Sequence, residues 1–270
     1  MTDSTQEVLS FPRSARRAVE ASFSGGHITS DGGLLLLRQA DRRLDLLRRL
    51  SRPLPDDRRQ ASVEHSLLSL LRQRVYGLAC GYEDQSDHDD LRRDFALQTA
   101  VGRDEVLGHS TTLCRLENRA DASWAWRAHE VLVDTFIARH KTPPAELVLD
   151  IDATDDPTHG TQEGRFFHGY YGHYCFLPLY VFCGDFPLVA YLRPSNKDGA
   201  RHAWAVLALL VRRLRQAWPD VRIVVRGDSE LAAGSSCAGA TVAASTTSSG
   251  SPETAGWRRW PTTGSTRRRR

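Results

Sequence analysis

The stretch LVLDIDATDD, residues 147–156, decides the fold of this chain. Its first six residues are apolar except for two aspartates, a composition typical of a short buried strand that ends in carboxylates. Asp150 and Asp152 are two residues apart and therefore lie on the same face of that strand. The preceding segment KTPPAE (141–146) contains two successive prolines, which stop a helix and favour an extended chain. A helical region is thus predicted to end here and a β-sheet to begin.

Three more strands and one helix are predicted downstream of this stretch. The segments are YCFLPLYVFCG (174–184) and FPLVAYLR (186–193), which form a hairpin, then the helix DGARHAWAVLALLVRRLRQAW (198–218) and the strand VRIVVR (221–226). The order β-β-β-α-β predicts three antiparallel strands, followed by a helix that returns the fourth strand parallel to the first.

The region before the prolines has the period of helices. Leucines and arginines alternate between Gly33 and Leu50 as in an amphipathic helix that begins near Asp31. Ser62 is expected to cap the next helix, which Gly81 ends, and Asp121 is expected to cap a later one. Residues 1–30 have no such period and are predicted to be irregular.

The composition excludes several classes of protein. The net charge of +3 over 270 residues is too small to indicate a nucleic-acid partner by itself. The five cysteines are odd in number and lack C-x-x-C spacing, which argues against a disulfide framework and a zinc knuckle. No apolar stretch approaches the roughly 20 residues that span a bilayer, and the N-terminus lacks the apolar core of a signal peptide. A cytoplasmic protein without a membrane partner is expected.

The aspartates at strand ends carry the chemical hypothesis. Asp228 ends the fourth predicted strand and is expected to meet Asp152 at one edge of the sheet. Two such carboxylates can bridge a pair of Mg²⁺ ions, which activate a water and stabilise the leaving oxygen in phosphodiester cleavage or transfer. This arrangement is typical of the ribonuclease-H-like fold. The alternative is that each aspartate forms a turn or caps a helix.

Two segments admit more than one function, and the first is again the stretch that contains Asp150 and Asp152. LVLDIDAT also fits the D-x-D-x-T signature of haloacid-dehalogenase-type phosphatases, with Asp150 as nucleophile and Asp152 as general acid. In GRFFHGYYGHY (164–174), Arg165 and His168 lie among aromatic residues, a mixture suited to stacking on bases. A buried aromatic cluster explains that segment equally well.

Several stretches carry a family resemblance in collinear order. They are SDGGLLLLRQAD (30–41), VEHSLLSLLRQRVYGLACGYED (63–84), LCRLENR (113–119), residues 147–185 and VRIVVRGDS (221–229). Together they resemble bacterial insertion-sequence transposases of the DDE class, of the type called DDE domain group 1. The resemblance covers residues 25–229.

The resemblance implies a DNA-cutting and DNA-joining enzyme. It assigns Asp152 and Asp228 as catalytic and as ligands of Mg²⁺ or Mn²⁺. Asp150 is then a supporting residue next to these ligands that does not bind the metal itself. Its partner is DNA, the terminal inverted repeats of the parent element, bound by a homo-oligomer. The helical region is expected to recognise these ends, and HSTTLCRLENR (109–119) is a candidate second helix of a helix-turn-helix. Ordinary helix packing is the alternative there. The DNA-binding candidates are Arg115, Asn118, Arg119, Arg165 and His168.

The segment after Asp228 has a different composition. Of its last 40 residues (231–270), 26 are Ser, Thr, Ala or Gly, which predicts disorder. The family requires a third carboxylate, a glutamate on a later helix, whereas only Glu230 and Glu253 follow Asp228. We therefore expect a frameshifted or truncated tail, no third carboxylate, an inactive enzyme and an open edge on the fourth strand. A DNA-binding module or repressor is the non-enzymatic alternative.

The expected fold is α/β, with a helical N-terminal region before a partial ribonuclease-H-like domain (β-β-β-α-β) that lacks its C-terminal part. The expected segments are an irregular one at 1–30, a helical DNA-end-binding region at 31–140, the catalytic domain at 143–230 and the disordered tail at 231–270.

Overall fold

The computed structural model describes residues 9–21, 29–227 and 241–244, and it is a mixed α/β structure. The chain divides into two compact units, residues 1–131 and 132–270. In the described ranges, no helix is both long and apolar enough to cross a membrane.

The first unit begins with a β-hairpin. Strands β1 (Leu9–Ser14) and β2 (Arg17–Ala21) pair antiparallel, so the prediction of an irregular N-terminal segment is wrong for these residues. Pro12 and the arginines obscure the alternation in the sequence. The buried hydroxyl of Ser14 donates a hydrogen bond to the carbonyl of Thr99 at 3.2 Å, which fixes the hairpin to the helices.

Helices make up the rest of this unit. They are α1 (Leu34–Leu44), α2 (Leu46–Ser51), α3 (Leu67–Ala79), α4 (His88–Leu91), α5 (Phe95–Val101), α6 (Ser110–Glu117) and α7 (Ala122–Arg139), which contains the boundary between the units. Leucines and aromatic residues from these helices form the buried core, among them Leu34, Tyr76 and Leu97, together with Leu107 of the connection between α5 and α6.

Helix boundaries differ from the prediction at two places. The single helix expected over Gly33–Leu50 is interrupted at Asp45, whose φ of 51° is left-handed. Asp41 explains the interruption, because its carboxylate accepts a hydrogen bond from the Leu47 amide at 2.9 Å and so caps α2. Ser66, not Ser62, caps α3, since its hydroxyl oxygen accepts a hydrogen bond from the Ser69 amide at 3.1 Å. Asp121 accepts the Trp124 amide at 2.7 Å, which confirms its predicted capping role.

The second unit contains two sheets and one helix of its own. Its strands are β3 (Glu146–Ala153), β4 (Asp156–Pro157), β5 (Phe166–His168), β6 (His173–Phe176), β7 (Leu179–Cys183), β8 (Phe186–Tyr191), β9 (Arg222–Gly227) and β10 (Thr241–Ala244), with helix α8 (Ala203–Ala217) between β8 and β9. The large sheet has the order β10-β9-β3-β7-β8, and the small one the order β4-β6-β5.

The pairing predicted for the large sheet is confirmed. Strands β3, β7 and β8 are antiparallel neighbours, and β9 returns parallel to β3 after helix α8. The alternation along β3 buries Leu147, Leu149 and Ile151, which contact the apolar face of α8 in one core. Asp150 and Asp152 therefore lie on the opposite face of the strand.

One predicted strand is two. Residues 174–184 were expected to be continuous, but β6 ends at Phe176 and β7 begins at Leu179. Pro178 lies between them and has no amide hydrogen for a sheet. The Leu177 amide instead donates to the Arg193 carbonyl at 2.8 Å, and β6 joins the small sheet.

Strand β10 corrects the expectation of an open edge. Residues 241–244 pair parallel with β9 from Val224 to Gly227, so β9 has neighbours on both sides. Disorder was predicted for this part of the tail because no apolar period marks it, but backbone pairing requires only extended residues with free amides. The rest of the segment 231–270 lies outside the described residues.

Candidate active site at the end of strand β3

Asp152 is the last residue but one of β3, which is the middle strand of the large sheet. It lies opposite Tyr180 of β7, and its side chain is exposed. In the part of the chain that the structure describes, Asp152 has no hydrogen-bond or ion-pair partner. An exposed carboxylate without a counter-charge is the type of group that binds a hard cation.

Asp150 has a different environment on the same face. It lies opposite Arg226 of β9, whose guanidinium donates to both carboxylate oxygens, Nε to Oδ1 at 2.6 Å and Nη2 to Oδ2 at 2.8 Å. This ion pair raises the pKa of Arg226 above its usual value. Both oxygens are engaged, so Asp150 is poorly placed to act as a nucleophile. The geometry thus disfavours the phosphatase hypothesis, which gave Asp150 that role.

A third aspartate, Asp155, lies three residues after Asp152 and contacts a histidine. Asp155 lies within 2.8 Å of His173, between Oδ2 and Nε2, and the His173 ring is 6.1 Å from that of Tyr171. Burial, and then the negative charges of Asp155 and Asp152, raise the pKa of Tyr171. The pair of Asp155 and His173 was not predicted from the sequence. No spacing in the sequence indicates it, because the pairing of β6 with β4 brings His173 near the end of β3.

The second predicted catalytic residue cannot be placed. Asp228 lies outside the described residues, as do Glu230 and Glu253. Among the residues that are described, no group of three or more His, Cys, Asp or Glu side chains is arranged to hold a metal ion. Asp152 offers a carboxylate oxygen of the kind that Mg²⁺ prefers, and a complete site requires at least one more carboxylate.

The DNA-binding candidates of the helical unit are only partly available. Arg115 is exposed on α6, Asn118 donates to Cys114 Sγ at 3.5 Å, and Arg119 forms an ion pair with Asp57. The connection from α5 to α6 covers residues 102–109, longer than the three or four residues of a helix-turn-helix. Leu113 and Leu116 of α6 are buried, as in ordinary helix packing.

The candidates of the second unit lie in the small sheet. The Arg165 guanidinium lies over the Tyr174 ring, 4.4 Å from its centroid. His168 contacts Tyr171, with ring centroids 4.9 Å apart, and lies opposite His173 in the β5–β6 pair. Strand β4 of the same sheet begins at Asp156, four residues after Asp152.

Comparison with known proteins adds the family. The family model described as transposase DDE domain group 1 matches residues 11–238, which is most of the chain. Comparisons with curated proteins and with solved structures gave no match. The matched range includes most of both units, with the strand that carries Asp152 and the sequence position of Asp228. The chain belongs to the transposase DDE domain group 1 family.

Proposed function

We propose that this protein acts on DNA as an insertion-sequence transposase, with a metal-dependent site at the end of β3 in a ribonuclease-H-like sheet. The observation that supports this most directly is the position of Asp152. It is an exposed carboxylate at the end of the middle strand, in a sheet whose order is β10-β9-β3-β7-β8. With chromosomal DNA as the partner, the cytoplasm is the proposed location.

The register of β3 and β9 supports a second carboxylate beside the first. Asp150 is level with Arg226 in this parallel pair. Asp228 follows Arg226 by two residues, as Asp152 follows Asp150. A continuation of the register by two residues would bring Asp228 level with Asp152. We therefore propose these two aspartates as the metal ligands. The Asp150 carboxylate is neutralised by Arg226 and affects the two ligands only through the local electrostatic field.

The metal proposed is Mg²⁺ or Mn²⁺, because both carboxylates are hard oxygen ligands and no thiolate or imidazole is needed. When bound, such ions activate a water or a DNA 3′-hydroxyl as nucleophile and stabilise the leaving oxygen. The chain's own part is to hold the carboxylates at a rigid strand end, where their separation is set by backbone pairing.

The experiment is a DNA cleavage assay on linear DNA that carries both ends of the parent element, with and without Mn²⁺. Asp152→Asn is compared with Asp185→Asn, an exposed aspartate in the β7–β8 turn at the other end of β7. If the full chain is active, cleavage should need Mn²⁺, disappear in Asp152→Asn and persist in Asp185→Asn. Cleavage that survives Asp152→Asn would remove Asp152 from the site.

A second candidate is DNA binding without cleavage, as in a repressor. The observation that favours it is in the sequence, where Glu230 and Glu253 are the glutamates after Asp228, whereas the family resemblance implies a third carboxylate on a later helix. A gel shift on the same DNA separates the candidates. Binding without any Mn²⁺-dependent product supports the binding module and the expected inactivity, whereas a cleaved product contradicts both.

A further inference from the structure

The small sheet has two different faces. Phe167 lies opposite Tyr174, and His168 lies opposite His173, in the antiparallel pair β5–β6. Neighbouring residues of a strand point to opposite faces, so Phe167 and Tyr174 share one face and the two histidines share the other. The histidine face includes His173, whose partner Asp155 follows Asp152 by three residues. The opposite face is aromatic.

The aromatic face consists of Phe167, Tyr174 and Arg165. Tyr170 is exposed at the hairpin tip, where its ring contacts Tyr171, which in turn contacts the two histidines. Phe167 is 56% exposed, Tyr174 48% and Tyr170 87%. The Phe167 and Tyr174 rings meet edge to face, with centroids 5.6 Å apart, and Arg165 lies over Tyr174. Large aromatic rings left in water at one place are costly unless they serve a binding surface.

The aromatic face is held in place by contacts to the chain after β8. The Ser195 hydroxyl donates to the Phe166 carbonyl at 2.9 Å, and Phe176 forms a β-bridge with Pro194. Arg193 is 3% exposed, and its guanidinium donates to the carbonyls of Leu177, Gly199 and Arg201. A buried side chain with three carbonyl partners keeps the base of the sheet rigid. The exposed rings are therefore preorganised, which lowers the entropy lost on binding.

The charge of this region argues against a duplex groove. From Asp155 to Phe176, Arg165 is the single lysine or arginine in the sequence, against Asp155, Asp156 and Glu163. Duplex binding depends on several cations that neutralise phosphates, and this surface lacks them. Stacking on exposed rings requires unpaired bases, because the flat faces of the bases are covered in a duplex, and an arginine on an aromatic ring adds to it.

We propose that the aromatic face binds unpaired nucleotides of DNA by stacking their bases on Phe167 and Tyr174. The inference rests on the proposed function, because it supplies DNA as the partner, and it deepens it by naming single-stranded DNA as the form bound here. Strand β4 of the same sheet begins at Asp156, four residues after Asp152, so this sheet and the strand end of Asp152 are close in the chain. Unpaired DNA at a cleaved or frayed end is the chemical class that fits.

The test uses the full chain and a fluorescein-labelled deoxythymidine single strand of about 20 nucleotides, longer than typical single-strand sites. Anisotropy gives its affinity in the absence of metal. Stacking on one ring contributes enough that Phe167→Ala and Tyr174→Ala should each weaken binding about fivefold or more. Phe167→Trp should restore it. Trp126→Ala, which removes a 50% exposed aromatic on α7, is the matched control and should leave the affinity unchanged.

A second readout locates the contact directly. Iododeoxyuridine placed in the same strand should crosslink on irradiation to Phe167 or Tyr174, identified by mass spectrometry. Crosslinks found only elsewhere, or alanine variants that bind as tightly as the parent, would overturn the proposal. So would a dimer that Phe167→Ala dissociates, because the face would then bind a second copy. Cleavage lost in Asp152→Asn and strand binding lost in Phe167→Ala are separate results, so failure of this proposal is distinguishable from failure of the proposed function.

Discussion

Arg226 lies opposite Asp150 in the parallel pair of β9 and β3 and binds both oxygens of its carboxylate, at 2.6 and 2.8 Å. Asp152, two residues further on the same face, has no such partner among the described residues. One strand thus carries a neutralised aspartate and an available one. Both members of the Arg226 pair are solvent-accessible, so the contact contributes little to stability. Its effect is on which carboxylate can bind a cation.

We predict that Arg226→Gln changes metal binding and hardly changes the melting temperature. Removal of the guanidinium frees the Asp150 carboxylate and deletes a positive charge near Asp152, so Mn²⁺ should bind more tightly. Electron paramagnetic resonance of free Mn²⁺ measures this. Arg222→Gln is the control, since Arg222 pairs with Glu146 at 2.8 Å at the other end of the same two strands. Equal Mn²⁺ affinities for the two variants would contradict the assignment.

Asp41 is predicted to be essential to the stability of the first unit. Its side chain is 4% exposed and accepts hydrogen bonds from Arg72 Nε at 3.0 Å and the Tyr76 hydroxyl at 3.1 Å, besides capping α2. Asp41→Ala leaves a buried guanidinium unpaired, which should lower the free energy of unfolding by about 3–5 kcal/mol. Tyr76→Phe loses one hydrogen bond and should cost about 1–2 kcal/mol.

Urea denaturation followed by circular dichroism measures both changes. The control is Arg48→Gln, which breaks the exposed Arg48–Asp45 ion pair and should change the unfolding free energy by less than about 1 kcal/mol. If Asp41→Ala were as mild as this control, the buried network would not stabilise the unit.

Gly77 is predicted to be required by the ring of His88. A Cβ at Gly77 would lie 2.6 Å from Cε1 and 2.8 Å from Nε2 of this histidine, which is 0% exposed and cannot move outwards. Gly77→Ala should therefore destabilise the protein by about 1–3 kcal/mol, although the same change inside an open helix stabilises it. Gly33→Ala is the opposite case, because nothing lies within 4 Å and its φ of −60° suits alanine. Thermal unfolding of the two variants should shift in opposite directions.

The burial of His88 also predicts a dependence on pH. Burial, and then the nearby Arg74, lower the pKa of His88, and burial likewise lowers that of His65. The unfolded chain takes up these protons near the usual histidine pKa of about 6.5, whereas the folded chain takes them up only at lower pH. Stability is thus fully present above that pH and is lost as the pH falls.

Urea titrations between about pH 7 and pH 5.5 test this, a range above most carboxyl titration. Each histidine should contribute a slope of at most about 1.4 kcal/mol per pH unit. His88→Gln should lower the overall stability and flatten the slope. An unchanged slope in the variant would assign the pH dependence to other groups.

The sequence was sufficient to predict the elements whose local structure is determined by a short pattern of residues. Alternation around Asp150, the Gly184-Asp185 turn and the helical period of residues 203–217 predicted β3, the β7–β8 hairpin and α8, and their order predicted that β9 pairs parallel with β3. The cap at Asp121 was predicted because a carboxylate can accept a hydrogen bond from a helix amide, and the end of α3 was predicted because a glycine follows it at Gly81.

The missed features depend on contacts distant in sequence. The break at Asp45 depends on the Asp41 carboxylate turning back to the Leu47 amide. The small sheet depends on the pairing of β6 with both β4 and β5, which removes it from the strand predicted over 174–184. The same pairing determines the Asp155–His173 contact near Asp152, which no spacing in the sequence indicates.

Strand β10 leads to the last prediction, that residues 241–244 protect the edge of β9. They pair in parallel with Val224–Gly227, so a chain that ends at residue 238 would leave the backbone groups of that edge unpaired. Open strand edges recruit other chains, and we expect this shortened chain to aggregate and to exchange the amides of 224–227 faster. A chain that ends at residue 245 keeps β10 and is the matched control. Light scattering and hydrogen exchange compare the two. If both behave alike, β10 adds no protection, and the original expectation of an open edge on the fourth strand would be the better description.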